Sequence, residues 1–301
     1  MDDRVVVGVD GSAWSRRALA WAAEEAAIRG ARLQAVVAWR SPSDRGAETP
    51  FPVPDAELAA DAASRLERSL AEAGGAIPEP GPERLVVRGD PAATLCDLAS
   101  GASLLVVGRR GRGALAGAVL GSVSLRCAHH SPCPVAVVGG KALSRPPAGR
   151  IVVGVDRSAG SADAMEWALG EARLRGWGVE AVEVVRDPYQ EDMALELDMP
   201  HFRRERPRLV RGVHERLERF VARAAAEQQE VAVTPVLVVG DPDSTLCERS
   251  TGADLLVLGS RGRGGLSRVV LGSVSSSCAH RSRCPVVIVP GEPPGRRAPG
   301  R

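Results

Sequence analysis

Short apolar runs recur along the chain, separated by stretches whose apolar positions have helical spacing. The first run, Val5-Val6-Val7-Gly8-Val9-Asp10, reads as a strand buried on both faces that ends in a carboxylate. Ser12 then caps a helix with Leu19, Trp21, Ala22 and Ala26 on its apolar face, and Gly30 stops it. Leu33 to Trp39 is a second strand, Ser41 to Pro54 a loop rich in Pro and Ser, and Asp55 to Ala73 an alanine-rich helix. Arg84 to Val87 is a third strand. Gly89-Asp90-Pro91 opens the next helix, with Asp as N-cap and Pro at the first helical position. Leu104 to Val107 is a fourth strand, Ser122 to His130 a helix, and Pro134 to Val138 a last strand. Helices alternating with apolar strands predict an α/β fold: an open, doubly wound, mainly parallel sheet with helices on both faces.

The pattern restarts at Ile151. Asp156 repeats Asp10 at an offset of 146, and Gly240-Asp241-Pro242 repeats Gly89-Asp90-Pro91 at 151. The five extra residues lie between the second and third strands, where Arg186 to Arg208 is long and charged. That segment reads equally as a flap, a partner surface or a solvated loop. The chain therefore divides into a domain over 1–140, a linker over 141–150, a second domain over 151–290, and a Pro-Gly-Arg tail over 291–301 expected to be disordered. A length of 301 residues suits two domains.

Composition narrows the function. A net charge of +2 gives no nucleic-acid footprint and no polybasic membrane patch, and 3% aromatics are too few for base-stacking surfaces. No apolar run reaches membrane-span length, and strand-like residues follow Met1 almost directly, so a cytoplasmic protein is expected. The six cysteines pair off at an offset of 151 (Cys96 with Cys247, Cys127 with Cys278, Cys133 with Cys284), as packing residues carried by a repeat would.

Candidate chemistry lies in a glycine stretch that occurs twice, each time after the fourth strand of its half. Gly108-Arg109-Arg110-Gly111-Arg112-Gly113 runs on to Gly121-Ser122-Val123-Ser124, and Gly259-Ser260-Arg261-Gly262-Arg263-Gly264 runs on to Gly272-Ser273-Val274-Ser275. Both have the form G-x2-G-x9-G-S. Glycines at a strand's carboxyl end admit close approach or positive φ, Gly-Ser offers free N–H groups at a helix N-terminus, and the arginines offset phosphate charge. Repetition at one register favours anion binding over a plain loop.

A strand ending in Val-Asp together with this motif resembles the universal stress protein family in its tandem form, over nearly the whole chain. The resemblance implies two five-stranded sheets of order 3-2-1-4-5 that pair through their last strands, and, in one branch of the family, ATP at the strands' carboxyl ends. It places Asp10 and Gly11 by the ribose or a metal, and Ala38 and Trp39 by the adenine. Gly108, Arg110, Gly111, Gly113, Gly121, Ser122, Val123 and Ser124 would then surround the phosphates and ribose. The second set is Asp156, Val184, Gly259, Arg261, Gly262, Gly264, Gly272, Ser273, Val274 and Ser275. Arg157 stands where the first half has Gly11, and would either crowd the pocket or add a phosphate contact.

Competing chemistry is poorly supported. Cys127-Ala-His129-x3-Cys133 and its repeat Cys278-Ala-His280-x3-Cys284 hold three ligands each, short of a closed zinc site, so no metal site is assigned. No P-loop and no G-x-S-x-G elbow is present, and no residue is placed as general base or nucleophile. The reading is a non-enzymatic, ATP-binding regulator of the stress response with one site per domain, with or without Mg2+, and slow hydrolysis at most. A homodimer of tandem chains and an unidentified protein partner are expected, and a nucleotide-independent adaptor or a weak ATPase is the alternative.

Overall fold

The computed structural model of the chain describes residues 3–45, 53–74, 77, 81–111, 120–139, 146–186, 200–262 and 271–291. The first half runs β1 (Arg4–Gly8), α1 (Ala13–Arg29), β2 (Arg32–Trp39), α2 (Asp55–Ala73), β3 (Glu83–Arg88), α3 (Pro91–Leu98), β4 (Leu104–Gly108), α4 (Ser122–His130) and β5 (Val135–Val138). The second half repeats it as β6 (Arg150–Gly154), α5 (Ala159–Arg175), β7 (Gly178–Val185), α6 (Pro200–Ala224), β8 (Val233–Val239), α7 (Pro242–Arg249), β9 (Leu255–Gly259), α8 (Ser273–Arg281) and β10 (Val286–Val289). The segment read as a flap is partly helix, since α6 begins at Pro200 with proline in the first turn; residues 187–199 and the tail from 292 lie outside the described residues.

The capping signals act as their chemistry dictates. Ser12 and Ser158 accept from the N–H groups of Ser15 and Ser161, and Asp90 and Asp241 accept from those of Ala93 and Ser244. Gly30 and Gly176 close α1 and α5 in the left-handed region at φ 63° and 66°.

Each half is a parallel sheet of order 3-2-1-4-5, and the two join through β5 and β10, which pair antiparallel with Ala136 opposite Val287. The result is one ten-stranded sheet with β3 and β8 at its edges. Alternate residues of β1 face opposite layers: Val5 and Val7 pack under α1 and α2, and Val6 packs under α3 and α4.

Across the seam, α1 meets α5. Glu25 and Glu171 are buried there, and each accepts from both Arg29 and Arg175, one guanidinium from each half. Arg175 also lies over the Trp177 ring at 4.5 Å, and Arg29 over Trp167 at 5.4 Å. Two buried carboxylates and two guanidiniums thus alternate around the interface, each carboxylate bonded to a guanidinium of either half.

Candidate functional site

The carboxyl ends of β1, β2 and β4 open into a cleft of about 840 Å³ in the first half. Of the sequence-predicted residues, Asp10, Ala38, Trp39, Gly108, Arg110, Gly111, Gly121, Ser122, Val123 and Ser124 line it. Gly113 and Gly264 lie outside the described residues. The position agrees with the rule that open α/β sheets bind ligands beyond their strands' carboxyl ends.

Several residues act differently from expectation. None of Gly108, Gly111, Gly121, Gly259, Gly262 and Gly272 has positive φ. A Cβ on Gly111 would stand 2.7 Å from Oδ2 of Asp10, and one on Gly262 would stand 2.5 Å from Oδ2 of Asp156. The loop glycine is therefore fixed by the carboxylate it lies against. Gly108 and Gly259 are fixed by packing: a Cβ there would strike the backbone of Trp14 or Gly160 at the start of α1 or α5. Ser124 and Ser275 are buried, and their hydroxyls donate to the carbonyls of Gly108 and Gly259 at 2.6 and 2.7 Å. They tie helix to strand, so phosphate contact is not their main role.

The start of α4 differs from those of α1 and α3. Its N-cap is Gly121, with no side-chain cap, and α8 begins in the same way at Gly272. The N–H groups of the first turn therefore face the cleft without a side-chain acceptor. A Cβ on Gly121 would meet only ordinary contacts, the nearest at 3.4 Å from Ser124. Packing does not require glycine there.

Arg110 lies over the Trp14 ring at 5.9 Å beside the cleft, whereas Arg109 points away. Arg109 is only 7% exposed, and its Nη2 donates to the carbonyl of Ser282 in the other half at 2.7 Å. His129 also crosses the seam, its Nδ1 accepting from Leu271 N–H at 3.2 Å, beside Gly272. Both residues that read as phosphate or packing groups brace one half's motif against the other half.

Sequence reasoning missed the far wall, where Leu58, Asp61 and Arg65 of α2 face the cleft. Their i, i+3, i+7 spacing was the available signal. Asp61 pairs with Arg65 at 3.2 Å.

In the second half, Asp156, Gly259, Arg261, Gly262, Gly272, Ser273, Val274 and Ser275 repeat the loop and helix start, and Gly272 N–H donates to the Ser260 carbonyl at 2.8 Å. Val184 packs against the same core cluster as Leu246 of α7. Arg157 is tied down. Its Nε donates to Oε1 of Glu183 at 3.0 Å, and Glu183 is 3% exposed with Oε2 lacking a hydrogen-bond partner.

The Cys-x-His motif does not converge on a metal. Cys127 lies by Cys96, His129 takes the Leu271 N–H, and Cys133 contacts Ser131. Among the described residues no group of three or more His, Cys, Asp or Glu side chains could hold a metal ion, and no helix is long and apolar enough to cross a membrane.

This is a tandem α/β protein in which a Gly-x2-Gly loop and a glycine-opened helix bound a strand-end cleft. The sequence model of the universal stress protein family matches residues 1–139 and 148–290, and the chain belongs to that family. A universal stress protein of Mycobacterium tuberculosis is 32% identical over 314 residues, covering 96% of both chains. A second from the same organism is 32% identical over 292 residues, covering 94% of this chain and 96% of its own. The crystal structure of a universal stress protein from Archaeoglobus fulgidus shares the fold, with a TM-score of 0.65, 19% identity and 97% of each chain covered.

Proposed function

We propose that the protein is a regulator whose clefts bind an adenine nucleotide, ATP with or without Mg2+, as a ligand and not as a substrate to be turned over. One observation carries this: the uncapped N-terminus of α4 opens on a cleft that also holds Arg110. Free N–H groups, the positive end of the helix and a guanidinium together suit a polyphosphate. Gly121, which the chain's own packing does not require, leaves room for a ligand to approach the backbone. Ala38, Trp39 and Leu95 supply an apolar end to the cleft for a base. The bound nucleotide supplies phosphate charge at the motif where the halves meet, through Arg109 and His129. ATP turnover is expected to stay below about 1 s⁻¹, under the usual enzyme range.

The chain is expected to act in the cytoplasm and as a homodimer of tandem chains. Since β5 and β10 are spent on each other, pairing by sheet edges would use β3 or β8. Native mass spectrometry of protein purified without added nucleotide, followed by ATP titration, tests the reading. Binding of one or two ATP per chain supports it. No binding at millimolar ATP overturns it in favour of an adaptor.

A further inference from the structure

Away from the cleft motif, four of the six cysteines form two equivalent couples. Cys247 of α7 and Cys278 of α8 are hydrogen-bonded thiol to thiol, with their Sγ atoms 3.8 Å apart. Cys96 of α3 and Cys127 of α4 hold the repeat-equivalent positions in the first half, Cys127 lying close enough to act on the Cys96 thiol. In each couple the thiol on the shorter helix is half-buried and its partner fully buried. The other two cysteines are built differently: Cys133 and Cys284 are buried and contact the Ser131 and Ser282 hydroxyls at 3.6 and 3.5 Å.

We propose that Cys96–Cys127 and Cys247–Cys278 are peroxide-oxidised dithiols, each closing to a disulfide that staples its two helices together. A couple that is only packing needs neither a second thiol in contact nor a nearby cation. Both features are present in both halves. The Cys278 hydrogen bond, helped by Arg281, brings the Cys247 thiol down to about 7 against the cost of burial. The Cys127 hydrogen bond, helped by Arg126, lowers Cys96. The deep partners are pushed up and stay protonated. A more acidic, reachable thiol beside a buried neutral one is the arrangement of an attacking and a resolving cysteine.

The Cys247 thiolate attacks one oxygen of hydrogen peroxide, the O–O bond breaks, and the departing hydroxide takes a proton to become water. That leaves a sulfenic acid on Cys247. The Cys278 sulfur then attacks the sulfenic sulfur, the S–O bond breaks and a second water leaves. Two thiols have lost two electrons to one peroxide, which becomes two waters. Closing the couple brings the Sγ atoms from 3.8 Å to about 2.05 Å.

The test treats the full reduced chain with hydrogen peroxide, alkylates the remaining thiols after denaturation, and maps peptides by mass spectrometry. Four of the six thiols should be lost, with linked peptides joining Cys96 to Cys127 and Cys247 to Cys278, while Cys133 and Cys284 are alkylated. Cys278→Ser should trap Cys247 as a sulfenic acid that dimedone captures, leaving the Cys96–Cys127 link unchanged. Six free thiols after excess peroxide, oxidation of Cys96 and Cys247 to sulfinic acid with no linked peptide, or links between other pairs would each overturn the proposal. The outcome does not depend on nucleotide binding.

Discussion

At the turn after the first strand, residue 11 is a glycine at φ 82° and residue 157 is an arginine at φ 64°. The backbone is the same and the side chains are not. Gly11 leaves room for the Arg65 side chain at 3.8 Å. Arg157 instead fills its own turn and binds Glu183, which stands where the first half has the fully buried Val37. A left-handed conformation at a non-glycine costs on the order of 1 kcal/mol, so it persists only where other contacts fix it. Here the fixing contact is the buried carboxylate. Trp39, flanked by Arg88 at 5.6 Å, becomes Val185, and Trp14 becomes Gly160, where any Cβ would stand 2.8 Å from the Arg261 carbonyl. What the halves share is the frame: the Asp–Gly contact, the Ser-to-strand bond, the uncapped helix, and the pairs Arg40–Asp90 and Arg186–Asp241. The first cleft has Trp39 in its wall, and the second half has an internal ion pair at the equivalent turn. The halves share what aims backbone N–H groups and differ in what surrounds them.

The largest expected effect breaks that ion pair. Arg157→Gly restores an easy turn but leaves the buried Glu183 side chain without its partner. A stability loss of about 3–5 kcal/mol is expected, read from the urea midpoint. Arg157→Gly with Glu183→Val, which writes the first half's residues into the second, should recover to within about 1 kcal/mol of the parent. A single variant as stable as the parent would mean the pair does not hold the turn.

Next in size are the loop glycines. Gly111→Val should weaken nucleotide binding in the first half about 100-fold, or about 2.7 kcal/mol, because its Cβ displaces the Asp10 carboxylate from 2.7 Å. Gly262→Val should act in the second half alone. Calorimetric titration of both variants separates the sites, and equal loss at both sites from either variant would show that the seam, not the loop, governs binding.

That cause was not legible in the sequence. Spacing located the glycines and suggested positive φ, but a steric demand set by Asp10 depends on how β1 and β4 lie together. Strands, caps and sheet order were readable because each follows from local rules: Ser12, Asp90 and Gly30 do chemically what their neighbours in the chain require. The roles of Arg109, His129 and Arg65 were not, since each is decided by a surface distant in sequence. Arg109 reads as a phosphate ligand until β10 and the Ser282 turn are placed beside it.

The smallest effect concerns what the halves hold in common. Burial, and then Glu171, raise the Glu25 carboxyl to about 7, with Arg175 and Arg29 opposing. In that window the folded chain binds a proton that the unfolded chain, at about 4.5, has released. The Glu25 contribution is therefore complete below pH 4.5 and is lost as pH rises through 7, by less than about 3 kcal/mol. Unfolding midpoints between pH 5 and 8 should fall with pH in the parent and lose that slope in Glu25→Gln. The ring belongs equally to α1 and α5, so this pH change should move nucleotide affinity at the two clefts alike. A shift at one cleft only would mean that the asymmetry at Arg157 reaches the seam.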